Sequence, residues 1–219
     1  ITSLQPLSSC PALDTLRATS LHNLRDVAGL KNCGLLYSVS FFGCPKLEDV
    51  SVLSNCPRLH DLDLSHCMSL RSLAGLEMCV HLQKLTLVCF GRLRISPDFS
   101  HCVSLRLLEI YDCHEVTDLA PLTACPALHT LKVTRLDFLH DLNPLRRCVA
   151  LETVWIRNCT DLRSLDGLHG CVNLQVLDLT NCTSLRSLAG LEPCVNLRKL
   201  TLLYCHALRN IAELSHCVS

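Results

Sequence analysis

Residues 171–193 read CVNLQVLDLTNCTSLRSLAGLEP, and the rest of the chain repeats this 23-residue stretch. Some copies are nearly identical, since SLRSLAGLEMCVHLQKLTL at 69–87 returns as SLRSLAGLEPCVNLRKLTL at 184–202. A cysteine opens each copy at a constant interval of 23 residues: Cys10, Cys33, Cys56, Cys79, Cys102, Cys125, Cys148, Cys171, Cys194 and Cys217. A fixed period of this length predicts a solenoid in which each repeat packs only on its neighbours.

The repeat also fixes the domain organisation. It divides the 219 residues into a partial repeat at 1–9, nine complete repeats at 10–216 and the start of a tenth at 217–219. No linker rich in proline, glycine or serine interrupts the interior, so we expect one domain over 1–219. Neither end shows the polar capping repeat that such an array needs. We therefore expect the sequence to be an excerpt of a longer protein.

Two hydrophobic periods alternate within each repeat. Leucines separated by one residue, as in Leu177 and Leu179, predict a short strand with one buried face. After the strand, leucines recur every third residue, a period typical of 3-10 or extended turns and not of an α-helix. Repeats three and eight show this second period at Leu70, Leu73 and Leu76 and at Leu185, Leu188 and Leu191. In repeat four Ser96 replaces one of these leucines and Pro97 follows, so we expect a distorted segment there.

The motif L-x-x-L-x-L-x-x-C, seen as LHDLDLSHC at 59–67 and LQVLDLTNC at 174–182, resembles the leucine-rich repeat family along the whole chain. The resemblance implies an α/β-type solenoid, the leucine-rich repeat horseshoe, composed mostly of β and coil. Short parallel strands would line its concave face, and 3-10 or extended segments its convex face. The thin convex side is similar to internalin-type and phosphatase-regulator-type arrays. It differs from the cysteine-containing repeats of ubiquitin-ligase substrate receptors, whose convex side is helical.

A second cysteine follows eleven residues after the first in most repeats, and we expect these cysteines to form a buried structural ladder. They are Cys44, Cys67, Cys113, Cys159, Cys182 and Cys205; Leu21, Phe90 and Leu136 replace them elsewhere. A small side chain that can hydrogen-bond the turn backbone suits this position. The total of 17 cysteines is odd, and so many thiols persist most easily in a reducing compartment. We predict that the protein is located in the cytoplasm. This prediction includes the case in which it associates with the cytoskeleton.

Charge and hydropathy exclude other partner classes. The 20 basic and 20 acidic residues balance, so no overall field favours nucleic acid. No apolar run approaches the ~20 residues of a membrane-spanning helix, and we expect no membrane insertion. The partner is therefore expected to be another protein. The uncapped ends could also pair with a second copy, so self-association is included in this expectation.

Eleven histidines and 17 cysteines raise the alternative of a metal site or a Cys–His nucleophile. A zinc site needs ligands that converge on one point, whereas the repeat places the cysteines in two inward-facing ladders and turns adjacent histidines the other way. No phosphate-binding glycine loop, H-E-x-x-H or G-x-S-x-G motif occurs. We predict no catalysis, no metal and no cofactor.

The variable positions of the strands carry the candidate site. We number each repeat from its first cysteine, so that position 8 lies between the two strand leucines and position 10 lies two residues further on. Trp155 occupies position 8, beside Lys132 in the preceding repeat and Arg157 at position 10. Aromatic and arginine side chains dominate binding hot spots. We predict that Lys132, Trp155 and Arg157 anchor a partner on the concave face, with Tyr111, Glu109, Phe42 and Tyr204 also on or beside it. The alternative is that Trp155 only shields its neighbours along the sheet.

The predicted function is that of a protein-interaction scaffold that binds a partner protein on its concave face. Two alternatives remain open. The repeats could be the substrate-recognition module of a larger multidomain protein such as a ubiquitin ligase, or a surface or secreted recognition protein. Internalin-like geometry favours the latter, and the thiol ladders oppose it.

Overall fold

The computed structural model describes residues 1–89, 101–209, 211 and 214. The predicted features at Phe90, Ser96, Pro97 and Cys217 lie outside these residues. Within them, nine strands form one sheet in chain order, and all neighbours are parallel. The strands are β1 Thr15–Arg17, β2 Ser38–Ser40, β3 Asp61–Asp63, β4 Lys84–Val88, β5 Leu107–Tyr111, β6 Thr130–Thr134, β7 Thr153–Arg157, β8 Val176–Asp178 and β9 Lys199–Thr201. The predicted parallel sheet is confirmed.

The register of the sheet follows the repeat without a slip. Each strand residue pairs with the residue 23 positions later, as in Leu131 with Val154 and Val154 with Leu177. Position 8 therefore forms one straight column across the sheet. Its members are Arg17, Ser40, Asp63, Thr86, Glu109, Lys132, Trp155, Asp178 and Thr201.

Short 3-10 segments run along the opposite, convex side, as the three-residue leucine period predicts. They are Gln5–Ser9, Ala28–Asn32, Ser51–Asn55, Leu76–Met78, Ala120–Ala124, Asn143–Arg147 and Asp166–Gly170. A side-chain oxygen two residues before several of them accepts a backbone N–H at the segment start. Asp141 Oδ1, for example, lies 2.8 Å from the N of Asn143, and Ser164 Oγ lies 3.1 Å from the N of Asp166. Such local bonds favour a turn over a helix.

Leucines fill the interior of the solenoid, and the cysteines occupy two columns beside them. The thiol of Cys67 lies 3.2 Å from the carbonyl oxygen of Phe41, and that of Cys182 lies 3.3 Å from the carbonyl oxygen of Ile156. In both pairs the acceptor precedes the thiol by 26 residues and belongs to the preceding coil. Burial raises the pKa of Cys67 to about 12, so this thiol keeps its proton at neutral pH and can donate it. The cysteines therefore bond one coil to the next inside an apolar core.

The bend after each strand has the same backbone conformation throughout the described coils. Position 11 has a positive φ, between 54° and 72°, at Ser20, Gly43, His66, Cys89, Asp112, Arg135, Asn158, Asn181 and Tyr204. This is the left-handed region that favours glycine. Only one of the nine residues is a glycine, so the amino-acid sequence alone does not reveal that position 11 has a positive φ.

Candidate protein-interaction face

The outer face of strands β5 to β7 carries the predicted anchor. In these five-residue strands, buried residues alternate with half-buried ones. On β7, Val154 and Ile156 are buried in the core, whereas Trp155 and Arg157 lie on the outer face. The two-residue period of a strand is the cause, because successive side chains point to opposite faces.

Two cations contact the indole ring of Trp155. The Nζ atom of Lys132 lies 4.8 Å from the ring centroid, and the Cζ atom of Arg157 lies 4.4 Å from it. Both distances are within the range of a cation–π interaction, whose energy is about 0.5–2 kcal/mol depending on solvent exposure. Trp155 is thus fixed between side chains from its own strand and from the preceding one.

Lys132 also joins this group to Glu109 on β5. Its Nζ atom lies 2.9 Å from Glu109 Oε1, and both side chains are mostly shielded from solvent. The Tyr111 hydroxyl donates to the same carboxylate at 3.4 Å, and that of Thr86 donates to it at 3.3 Å. Burial, followed by the charge of Glu109, raises the pKa of Tyr111 to about 12. The phenol therefore stays protonated and keeps this hydrogen bond.

Arg157 is held from the other side by Asp178 on β8. Its Nε and Nη2 atoms lie 2.9 Å and 2.5 Å from Asp178 Oδ2. The other carboxylate oxygen accepts the N–H and the hydroxyl of Thr180, at 3.0 Å and 2.6 Å. Burial raises the pKa of Asp178, but the hydrogen bonds from Arg157 and Thr180 outweigh this effect and lower it. Asp178 is therefore a charged, buried support for Arg157.

The structure brings together five of the seven residues that the sequence predicts for the site. We call Glu109, Tyr111, Lys132, Trp155 and Arg157 the tryptophan patch. The other two lie apart from it. Phe42 lies just after β2 and contacts the ring of His66 edge-on, with 5.2 Å between the ring centroids. Tyr204 is an exposed residue of the last bend, and its ring centroid lies 6.2 Å from that of His206.

The supporting role of Asp178 was not predicted from the sequence. A local signal does exist for it, since the chain has the same D-x-[ST] pattern at Asp63 and Ser65. There too the carboxylate accepts the backbone N–H and the hydroxyl two residues later, at 2.9 Å and 2.6 Å. When an aspartate at position 8 is followed by a hydroxyl residue at position 10, these two hydrogen bonds therefore hold its carboxylate in one orientation on this face.

Comparisons with known proteins agree with this architecture. Neither a protein-family model nor a curated protein matches the chain. Solved structures do. Internalin C2 from Listeria monocytogenes is similar with a TM-score of 0.72 and 22% identity over 82% of this chain and 76% of that one. The leucine-rich repeat domain of the type III effector XopL has a TM-score of 0.61 and 19% identity, over 97% of this chain and 69% of that one.

The chain has the leucine-rich-repeat fold. A second internalin of L. monocytogenes, inlF, is similar over 99% of this chain and 75% of its own, with a TM-score of 0.59 and 20% identity. At these identities the likeness shows the fold alone. On a leucine-rich-repeat solenoid the strand sheet is the concave face, so the tryptophan patch lies on that face. In the described part of the solenoid, no three histidine, cysteine or acidic side chains are grouped to hold a metal, and no helix is long and apolar enough to cross a membrane.

Proposed function

We propose that this leucine-rich-repeat chain is a non-catalytic protein-interaction scaffold and that a partner protein binds its concave face at the tryptophan patch. The observation that carries the proposal is the position of Trp155, an indole on the outer face that Lys132 and Arg157 hold in place. Tryptophan and arginine are the residue types most often found at binding hot spots.

The energetics of association support the same surface. Binding costs free energy for every side chain that must be ordered, about 0.5–1.5 kcal/mol for a flexible one. Lys132 and Arg157 are long side chains, but their carboxylate partners Glu109 and Asp178 already hold them. A partner would therefore find the patch in one arrangement, at little further cost in entropy.

The proposal has three further parts. We propose that the chain is one domain and an excerpt of a longer protein, that it is located in the cytoplasm, and that it can associate with a second copy of itself. The alternative of a recognition module in a larger protein has one finding in its favour. The XopL structure is described as the leucine-rich repeat domain of an effector, so in that protein the same fold is one part of a larger chain.

The test compares variants of the patch with a matched aromatic variant outside it. Trp155→Ala combined with Lys132→Ser removes the indole and one cation while it leaves the Arg157–Asp178 pair intact. Phe138→Ala is the control, because Phe138 is an aromatic residue, 52% exposed, outside the strands. Each purified protein serves as bait in a lysate of its own cell type, and mass spectrometry identifies the captured proteins.

We expect a partner that the wild type and Phe138→Ala capture and that the double variant loses, with affinity at least about 30-fold lower, as is typical of a hot spot. Circular dichroism and thermal unfolding must show that both variants remain folded. If the folded double variant captures the same partners as the wild type, Trp155 only shields the sheet and the proposal is wrong.

A further inference from the structure

A second feature of the concave face lies at the opposite end of the sheet, between β1 and β4. Here the outer face has a depression of about 280 Å³. Ser38 and Ser40 of β2 form its floor, and the longer side chains of Arg17, Asp61 and Asp63 rise on the two neighbouring strands. The hollow exists because β2 carries two small residues at outward positions. It is smaller than the ~300–1,000 Å³ of typical small-molecule pockets and suits a single side chain.

Aromatic rings stand at both ends of β2. Tyr37 precedes the strand, and its ring stacks on that of His60 at 4.2 Å with 18° between the planes. Phe42 follows the strand and meets His66 edge-on. Tyr37 and Phe42 are 48% and 43% exposed, so the solvent reaches both. Both rings stand beside the depression and neither of them lines it.

The two carboxylates of the depression lack the cationic partner that Glu109 and Asp178 have at the tryptophan patch. Within the part of the chain that the structure describes, Asp63 accepts hydrogen bonds from Ser40 and Ser65, which are neutral donors. Among the described residues, no basic nitrogen lies within 4 Å of the carboxylate of Asp61 or Asp63, although Arg17 and Lys84 line the same depression. By contrast, Glu109 and Asp178 are paired with Lys132 and Arg157.

We propose that this depression binds an arginine side chain of the partner protein. The inference rests on the proposed function, since it concerns the same concave face. A planar guanidinium fits the site better than an ammonium because it can donate two parallel hydrogen bonds to a carboxylate. Asp61 supplies the unpaired carboxylate, and Ser38 and Ser40 supply further acceptors on the floor.

The test uses short capped peptides and does not require the partner. ¹⁵N-labelled protein is titrated with acetyl-Gly-Arg-Gly-amide and with the same peptide carrying citrulline, which has the shape of arginine without its charge. A third peptide carries glutamate, to examine whether Arg17 and Lys84 bind an anion instead. We expect the arginine peptide to shift the amide signals of Ser38, Ser40 and Asp61, and citrulline to bind at least about tenfold more weakly, the effect of losing a charge-assisted bond.

Two variants localise the effect. Asp61→Asn keeps the size of the side chain and should weaken binding of the arginine peptide about tenfold. Glu152→Gln is the matched control, because Glu152 is an exposed carboxylate just before β7 and remote from the depression, and it should leave binding unchanged.

The inference is overturned if citrulline and arginine bind equally, if the glutamate peptide shifts these amides more strongly, or if Asp61→Asn binds like the wild type. Each of these results leaves the proposed function standing, because that is judged on capture by the tryptophan-patch variants. Conversely, unchanged capture by those variants would defeat the proposed function whatever the peptides do.

Discussion

At the scale of single residues, the bend after each strand imposes one backbone conformation on chemically unrelated side chains. Ser20, Gly43 and Tyr204 occupy equivalent places and have φ values of 57°, 72° and 60°. A non-glycine residue in this region costs about 1 kcal/mol or more relative to one in a favoured region. The coil tolerates this cost because its strand and core contacts determine where the chain must turn.

We predict opposite effects for two substitutions at this position. Ser20→Gly should raise the free energy of unfolding by about 0.5–1 kcal/mol, since it relieves the strain at an exposed residue. Gly43→Ala should lower it by about 1 kcal/mol, because a Cβ there meets only ordinary contacts and backbone conformation is the main cost. Urea denaturation of both variants measures the two changes. A shift of both in the same direction would contradict the role given to φ.

At the scale of the element, the 3-10 segments of neighbouring coils pack backbone against backbone. A Cβ atom added to Gly167 would lie 1.7 Å from the carbonyl oxygen of Leu142 in the preceding coil. The glycines before the last leucine of the repeat therefore have a packing role.

Gly167→Ala should consequently destabilise the protein by about 3 kcal/mol or more, since the two segments must move apart. Gly34→Ala is the matched control, because its new Cβ would meet only the carbonyl oxygen of Asn55 at 3.6 Å, an ordinary contact. Thermal and urea unfolding of the two variants gives the comparison. Equal stability of the two would show that the segments separate without cost.

How far the sequence predicted the structure also differs between elements. The strands, their register and the 3-10 segments followed from leucine spacing, because burial repeats with the period of each backbone conformation. The column containing Trp155 followed in the same way. The Arg157–Asp178 pair did not, because the two residues occupy different positions of their repeats and only side-chain rotamers bring them together. Nor did the depression above Ser38 and Ser40, which depends on side-chain size across three strands.

At the scale of the whole molecule, the two cysteine columns couple stability to pH. Burial raises the pKa of Cys56 to about 11 and that of Cys67 to about 12, from an ordinary value of 9.0. The folded chain therefore holds these protons more tightly than the unfolded chain. The stabilisation is complete below pH ~9 and is lost as the pH rises towards the folded pKa values.

We predict that the free energy of unfolding falls above pH ~9 by about 1.4 kcal/mol per pH unit for each thiol that ionises only on unfolding. Urea titrations at a series of pH values measure the slope. Cys67→Ala should reduce the slope by that amount, whereas Phe138→Ala, which removes no titratable group, should not change it. A slope that Cys67→Ala leaves unaltered would show that the ladder thiols do not control alkaline stability.

Because the register is unbroken, the number of coils fixes the distances between sites along the solenoid. Because every coil adds one strand at a spacing of ~4.8 Å, the separation between the serine-floored depression on β2 and the indole on β7 is set by the number of coils between them. Removal or duplication of one whole repeat would change that separation by one strand spacing and leave the type of contact within each coil the same. A longer or shorter array would therefore hold the two sites at separations that differ by whole strand spacings, while the residues of each site stay the same.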